Sequence, residues 1–298
     1  MKKFTRICLI AGLVLMLCGG AAAGAGYVQG AWPELRGSAV PTTGVIKGQR
    51  SLTVTPAEAQ SLRFMLSDED ITFTRSADEN VHIRYSDATG TAYSSNLEST
   101  PAGDSTFTFT PNPVKTNNDR FFGFHFGTDS DEIRVSLPAG LHVSVMTLSG
   151  DVDLTDIDCE TLDIATSSGD ISVGRLTVSG TLTLDAASGD MELQDAAVNG
   201  ELSMSTTSGE IEISRSSFSG DTRFSTTSGD LDIEAVISDH IVLDTTSGNI
   251  QMDLSGSPAH RTGSVSTVSG DMDIQGTDPG AEALIDISTT SGDVTIRS

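Results

Sequence analysis

The sequence predicts an all-β protein whose C-terminal half is a single-stranded β-solenoid, a stack of short coils. The first observation is a repeat, because Ser-Gly followed by an acidic residue or Asn recurs every 19 to 22 residues. The second is the alternation of apolar and polar residues on both sides of each repeat, which is typical of strands with one buried face. The third is a composition with 30 glycines and 5% aromatic residues, which suits short strands and tight turns.

The N-terminus predicts export and attachment to a membrane. Three basic residues lie within the first six positions, and residues 7–28 carry no charge. Such a segment can span a bilayer, so residues 1–29 are predicted to form an apolar signal-anchor helix, with a cleavable signal peptide and a secreted protein as the alternative. Because the positive charges precede the span, the N-terminus is expected in the cytoplasm and the C-terminal domain outside, in a single-pass membrane protein.

Residues 30–48 are predicted to be a linker, and residues 49–145 an irregular β section. Alternating runs such as residues 51–55, 71–75 and 81–85 predict strands, but their spacing is uneven and the loops between them are long. An uncovered coil at the end of a stack exposes unpaired strand edges, which favour aggregation. The irregular section is therefore expected to cap the solenoid.

Residues 146–298 are predicted to be the solenoid, with about eight coils of ~20 residues. Each glycine is followed by an acidic, apolar, polar, apolar sequence and preceded by a second alternating run, so two short strands per coil are expected. Coils stacked about 4.8 Å apart pair each strand with its copies and enclose a continuous apolar core. The repeat glycines, expected to turn the corners, are Gly150, Gly169, Gly189, Gly209, Gly229, Gly248, Gly270 and Gly292.

The corner formed by Ser, Gly and the acid has a predicted structural role. Glycine adopts the positive φ that a sharp turn needs, the acid is expected to accept hydrogen bonds from turn amides, and the preceding Thr and Ser residues are expected to stack as hydroxyl ladders. Stacked acids repel one another, and Ca²⁺ relieves such repulsion. No other cofactor is predicted, and the weak candidates for unspecific cation binding are Asp170, Asp190, Glu210, Asp230, Asp271 and Asp293.

Composition and motif spacing also limit the function. A formal net charge of -24 repels phosphate, so nucleic acid is excluded as a partner. The three cysteines and five histidines lack the spacing of a metal site. Catalysis needs a few carboxyls in unlike environments, whereas these acids repeat equivalently, so no enzyme activity is predicted; a carbohydrate-active β-helix enzyme is the alternative. Four phenylalanines in residues 121–126 are predicted to pack the cap, with an exposed binding cluster as the alternative.

The residues carry a resemblance to a known family. The run Ile133-Arg134-Val135-Ser136-Leu137-Pro138, which leads into Ser149-Gly150-Asp151, and the recurring Thr-Thr-Ser-Gly-Asp resemble the bacterial putative-adhesin family. Its members are β-strand-repeat proteins of unknown function, also described as toast-rack domains. The resemblance covers residues from about 45 to 298. It implies an extracytoplasmic β-solenoid with a role in adhesion or in envelope stress, and it supplies no catalytic residues.

These observations together predict a non-catalytic, membrane-anchored, extracytoplasmic module. Its partners are expected to be the membrane, through the N-terminal segment, and a ligand of the cell envelope or surface that the sequence does not identify. An accessory protein of an envelope-stress sensing system is the alternative function.

Overall fold

The alternating runs of the sequence form strands, as the periodicity predicts. A computed structural model describes residues 49–86, 91–99, 105–113, 132–254 and 260–297, and this part of the chain contains strands and turns but no helix. All described residues fall within one compact unit, Lys47–Ser298. None of them belongs to a helix that could cross a membrane. The predicted helix of residues 1–29, the linker of residues 30–48 and the aromatic run of residues 121–126 lie outside the described residues.

The strands are numbered in chain order and are connected by hydrogen bonds into one sheet. The first eight are β1 (Gln49–Val54), β2 (Ser61–Met65), β3 (Ile71–Arg75), β4 (Val81–Ser86), β5 (Thr91–Ser99), β6 (Ser105–Pro113), β7 (Ile133–Leu137) and β8 (Leu141–Thr147). The next eight are β9 (Val152–Thr166), β10 (Ile171–Val178), β11 (Leu182–Ser188), β12 (Met191–Gln194), β13 (Ala197–Val198), β14 (Leu202–Ser208), β15 (Ile211–Ser214) and β16 (Ser217–Phe218). The last are β17 (Thr222–Ser228), β18 (Leu231–Glu234), β19 (Ile237–Ser238), β20 (His240–Ser247), β21 (Ile250–Asp253), β22 (His260–Ser266), β23 (Met272–Ile274), β24 (Ala283–Ser291) and β25 (Val294–Arg297).

The central coils have three strands each, one more than the sequence predicts. In the coil of β14, β15 and β16, each strand pairs in parallel with its equivalent in the next coil, as Leu202 with Thr222, Ile211 with Leu231 and Ser217 with Ile237. The third strand has only two residues. A two-residue strand is too short to show an alternation, so periodicity does not detect it.

The core is a continuous apolar column inside the stack. In the same coil the inward side chains of Leu202, Met204, Ile211, Ile213 and Phe218 are all buried. Because burying one such side chain contributes about 1.5 to 3 kcal/mol, each coil gains most of its stability by stacking on its neighbours.

At the N-terminal end the stacking order differs from the chain order. Strands β2 and β3 lie between β8 and β9 on one side and β6 and β7 on the other. The antiparallel strands β5, β4 and β1 continue the sheet beyond β6 and β7. Part of the predicted irregular section thus belongs to the stack itself, and the boundary predicted after residue 145 falls within β8.

An aromatic cluster fills the core at this end. The rings of Phe64 and Phe73 meet edge to face at 5.4 Å between centroids, and those of Tyr93 and Phe109 stack at 5.1 Å. Tyr85 contacts both Tyr93 and Phe109. Such ring pairs contribute about 0.5 to 1.5 kcal/mol beyond the burial of their surface.

At the C-terminal end the order is again interleaved. The last strands of the sequence, β24 and β25, pair with β20 and β21 on one side and with β22 and β23 on the other. The last coil of the sequence is therefore the second-last coil of the stack. Residues 260–274 form the outermost coil of this end.

Candidate functional site

The repeat glycines form a column in which each lies directly against the backbone of the neighbouring coil. A Cβ added at Gly209 would lie within 3.0 Å of the carbonyl oxygen of Gly189, closer than real Cβ atoms come, and Gly189 stands in the same relation to Gly169. The predicted reason for these glycines is wrong at six of the eight positions, since φ lies between +20° and +160° only at Gly270 and Gly292. Lack of space for a Cβ, and not turn geometry, therefore requires glycine at those six positions, whereas both reasons apply at Gly270 and Gly292.

The contacts between these glycines follow the interleaved stacking order of the coils at the two ends. Gly248 packs under Gly292, and Gly292 packs under Gly270. At the other end Gly150 packs against the carbonyl of Glu69, which takes the glycine position in the coil of β2 and β3. No Ser-Gly pair marks that coil, so the repeat did not reveal it.

A threonine lies three residues before every repeat glycine except Gly189, which has Ala186 there, and its hydroxyl can bond within the turn or to the neighbouring coil. The Thr166 hydroxyl accepts a hydrogen bond from the amide of Gly169 at 2.9 Å, and Thr206 Oγ1 donates to the carbonyl of Gly189 in the preceding coil at 3.3 Å. These threonines are buried. The predicted hydroxyl ladder thus lies inside the stack, at the contact between coils. Among the described residues, Thr289 Oγ1 is the one buried side-chain oxygen or nitrogen without a hydrogen-bond partner.

The acid after the glycine also joins coils. Asp170 Oδ1 accepts the amide N–H of Asp190 at 2.8 Å, and Asp190 Oδ1 accepts that of Glu210 at 2.8 Å. The same bond links Asp230 to the amide of Asn249 and Asp293 to that of Asp271. The acids thus accept backbone amides as predicted, but the amides belong to the next coil and not to the same turn.

A second glycine column, which the sequence analysis missed, runs along another corner. A Cβ at Gly200 or Gly220 would lie within 3.0 Å of the carbonyl of the glycine one coil before, Gly180 or Gly200. The signal is present in the sequence as Ser-Gly or Asn-Gly at 20-residue intervals. Two such columns fix the lateral position of each coil on its neighbour.

One side of the stack carries a group of acids that form no ion pairs within hydrogen-bonding distance. The acidic face is defined here as six side chains of three successive coils, none of which forms an ion pair among the described residues: Asp190, Glu192, Glu210, Glu212, Asp230 and Asp232. Burial raises the pKa of Glu210, and the charges of Asp230 and Asp190 raise it further. The pKa of Asp232 is raised by burial and by the nearby Glu234 and Asp253.

The predicted cation ligands lie in one column on this side of the stack, without converging. Asp170, Asp190, Glu210 and Asp230 follow one another by single coils, and Asp293 and Asp271 close the column. Among the residues that the structure describes, no three His, Cys, Asp or Glu side chains are grouped to hold a metal ion. Cation binding by this column stays a prediction.

A third column combines backbone strain with paired charges. Asp156, Arg175, Asp195, Arg215 and Ala235 each have φ between 49° and 58°, one residue per coil. This left-handed conformation costs an ordinary residue about 1 to 2 kcal/mol. Acidic and basic side chains alternate along the column. Charge-assisted hydrogen bonds between them link neighbouring coils and offset part of this conformational cost.

The arginines and aspartates of this column form charged pairs between neighbouring coils. Arg175 Nη2 donates to Asp156 Oδ2 at 2.7 Å, and this hydrogen bonding lowers the pKa of Asp156. Arg215 Nε donates to Asp195 Oδ1 at 2.9 Å. A cavity of about 360 Å³ beside the column is lined by Arg75, Asp158 and Thr177 as well as by Asp156, Arg175 and Asp195.

Asp185 is a half-buried carboxyl on another side of the stack, and it gives a test of pH dependence. Burial raises its pKa to about 6, the charge of Asp163 adds to the shift, and a hydrogen bond with Ser205 opposes it. Between about pH 4 and 6 the folded chain therefore holds a proton that the unfolded chain has lost, so the contribution of Asp185 to stability is highest below about pH 4 and is lost as pH rises through 6. We expect Asp185→Asn to raise the free energy of unfolding by about 2 kcal/mol at pH 7.5, after screening, and to change it little at pH 4.

Urea titrations at the two pH values would measure this effect. Glu201→Gln, which removes the same charge from an exposed turn, is the control and is expected to alter the difference between the two pH values much less. Equal effects of Asp185→Asn at pH 4 and pH 7.5 would contradict the assignment.

The remaining titratable groups have local structural partners. Glu69 is 4% exposed and accepts the amide of Ser67 at 2.7 Å, and burial raises its pKa. Burial also raises the pKa of Cys159 to about 12, which leaves its thiol unreactive. His142 contacts Thr161 and Glu160, and His240 contacts Asp286 and Asp221. The side chains of His125 and His260 lie outside the described residues.

Comparison with protein families gives one match. A family model described as Toastrack DUF4097 matches residues 59–297. The match confirms the resemblance to toast-rack domains that the repeat indicated. A comparison with curated proteins finds no match.

Solved structures give distant similarities. A putative lipid binding protein from Parabacteroides distasonis is 14% identical with a TM-score of 0.49, over 82% of this chain and 96% of that one. A putative adhesin from Bacteroides fragilis is 13% identical with a TM-score of 0.45, over 85% and 98%. A putative cell adhesion protein from Clostridium sporogenes is 9% identical with a TM-score of 0.29, over 85% and 99%.

Proposed function

We propose that this chain, which belongs to the Toastrack DUF4097 family, is a non-catalytic interaction module of the cell envelope. In this proposal the N-terminal apolar segment holds the solenoid at the outer side of the membrane. The acidic face then binds a cationic group of an envelope or surface ligand.

The observation that carries the proposal is the crowding of acids without ion pairs on a rigid face. The register places Glu192, Glu212 and Asp232 side by side in successive coils, about 4.8 Å apart. Their mutual repulsion costs free energy that a cationic partner would recover on binding. The two glycine columns and the inter-coil hydrogen bonds hold this spacing fixed, so little conformational entropy is lost when a ligand binds.

The charge environment supports binding rather than catalysis. Acid-base catalysis requires neighbouring carboxyls whose pKa values are pushed apart by unlike surroundings. On the acidic face the pKa values of Glu210 and Asp232 are both raised, with burial first and like charges second. Because both shifts have the same direction and the same main cause, these two pKa values are not pushed apart, and the repeated acids suit an extended contact with several cationic groups.

A charge-matched pair of variants tests the proposal. The full chain in non-ionic detergent would be titrated with a fluorescent lysine homopolymer of ~20 residues, and binding followed by anisotropy. The triple variant Glu192→Gln, Glu212→Gln, Asp232→Asn is expected to weaken binding at least about tenfold, since it removes the fixed array. The control variant Glu201→Gln, Asp221→Asn, Glu282→Gln removes three exposed charges elsewhere and is expected to weaken binding about twofold. Equal losses in the two variants would overturn the acidic face as the binding surface.

The placement of the module is tested separately. Alkaline phosphatase fused after Ser298 is active only when it is exported, so an active, membrane-bound fusion is the expected result. An inactive fusion in the cytoplasm would overturn the extracytoplasmic part of the proposal without touching the binding assay.

A further inference from the structure

The coil of residues 260–274 ends the stack with one side unpaired. Strand β22 pairs with β24 and strand β23 with β25. Within the described ranges no other strand pairs with either of them. Their outer edges therefore present backbone amides and carbonyls without a strand partner.

The apolar interior is also open at this end. Met272 occupies the inward position of Val294 but is 52% exposed, whereas Val294 is 1% exposed. Ile274 and Val265 are only partly buried. Val268, on the turn before Gly270, is 82% exposed, and apolar side chains this exposed on an uncovered core mark a binding surface.

Among the described residues, the hydrogen bond from a backbone amide to the acid or Asn of the neighbouring coil recurs along the column except between Glu210 and Asp230, and the last acid of the stack has no donor for it. Asp293 accepts the amide of Asp271, as the pattern of the column requires. The carboxylate of Asp271 itself has no hydrogen-bond partner among the described residues, because no coil follows. The end thus offers a free acceptor placed where a further strand would present its amide.

The opposite end of the stack is covered. There, strand β5 pairs antiparallel with β6, and β4 pairs antiparallel with β7. The ring of Phe109 on β6 is fully buried in the aromatic cluster. The chain therefore caps one end with its own strands and leaves the other with an exposed core.

We infer that the open end, residues 260–274, docks an extended basic segment of another protein, which adds a strand beside the turn before Gly270 and β23. The register of β22 shifts between Thr262 and Val265, an irregularity that hinders strand addition there. Docking is therefore directed to Val268–Ile274. The apolar side chains of the segment cover Met272 and Ile274, and its cationic side chains face Asp271 and Asp273.

The negative charge near the open end favours a basic segment as the partner. Residues 260–297 contain six acidic residues and two arginines, and the whole chain has a formal net charge of -24. A second copy of the chain would place Asp271 and Asp273 against the same acids, so like charges oppose self-association. A basic segment is attracted by the negative charge of these acids, and its backbone also supplies the hydrogen bonds that strand addition requires.

This inference goes beyond the proposed function, since the docking site is the end of the stack, three coils beyond the last coil of the acidic face. The probe copies a coil of the chain itself: a labelled peptide with the sequence of Leu202–Ser214 carrying Glu210→Lys and Glu212→Lys, with the native acidic peptide as its control. Fluorescence anisotropy with the full chain in non-ionic detergent measures binding. We expect the basic peptide to bind at least tenfold more tightly than the acidic one.

Two variants locate the contact. Met272→Lys is expected to weaken binding of the basic peptide at least tenfold, and Met272→Leu, which keeps the apolar contact, to change it less than threefold. The triple variant of the acidic face is expected to leave peptide binding within about threefold. Peptide binding lost in that variant but kept in Met272→Lys would overturn this inference and leave the proposed function standing. Absence of peptide binding, or dimers that Met272→Lys converts to monomers in light scattering, would overturn it as well.

Discussion

Replacing Gly209 with alanine is expected to destabilise the solenoid by about 3 kcal/mol or more. The new Cβ would lie within 3.0 Å of the carbonyl carbon and oxygen of Gly189, and these backbone atoms cannot rotate away. Relief requires the two coils to separate, which breaks the parallel pairing of β11 with β14 and of β12 with β15. Urea denaturation followed by circular dichroism measures the change.

Gly174→Ala is the matched control for this prediction. Gly174 also lies in a parallel strand, but an added Cβ there meets nothing within 4 Å, and its φ lies outside the left-handed region. We expect this variant to be as stable as the native chain or up to about 1 kcal/mol more stable. Similar losses at the two positions would show that close approach in the column is not the reason for glycine.

Deleting residues 283–298 is expected to unfold more than the deleted coil. Strands β22 and β23 pair only with β24 and β25 among the described strands, so residues 260–282 lose the coil on which they stack. The irregular register of β22 and the exposed Met272 leave residues 260–274 poorly suited to replace the deleted coil on β20 and β21. Hydrogen exchange is expected to show residues 260–282 exchanging at the rate of an unfolded peptide.

The control is the longer deletion of residues 255–298. Because residues 260–282 already contribute nothing after the shorter deletion, the two truncated chains are expected to unfold within about 1 kcal/mol of each other. Slow exchange that persists in residues 260–274 of the shorter chain would contradict this, since it would mean that the coil had redocked on β20 and β21.

The sequence predicts the architecture well because a solenoid repeats its physical constraints. Inward residues such as Ile211 and Ile213 alternate with polar ones, and the glycine and the acid recur where coils touch. These features are local in sequence and periodic, so one chain suffices to recognise them. The position of the glycines was therefore predictable, although at six of the eight the cause is close backbone approach and not a positive φ.

Other features depend on which coils stack on each other, and the local sequence does not indicate the stacking order. The coils that contain Gly270 and Gly292 carry the same Ser-Gly-Asp pattern, so the pattern cannot tell which of them stacks on Gly248. The left-handed residues were missed because Arg175 and Ala235 are types that rarely adopt that conformation. The alternation of Asp156, Arg175, Asp195 and Arg215 at intervals of 19 or 20 residues is a signal that could have revealed this column.

The interleaved order of the C-terminal coils creates the open end, and engineered disulfides can test this order. Ser247 is in register with Ser291, and Ser269 forms a bridge with Ser291 from the other side. Neighbouring strands about 4.8 Å apart permit a disulfide, whereas strands two coils apart exceed the limit of about 7 Å between Cα atoms. Under mild oxidation, Ser247→Cys combined with Ser291→Cys is expected to form the cross-link, identified by mass spectrometry of the digested chain, and Ser247→Cys combined with Ser269→Cys is not. A cross-link between positions 247 and 269 in place of 247 and 291 would mean that the coils stack in chain order, and would contradict the account.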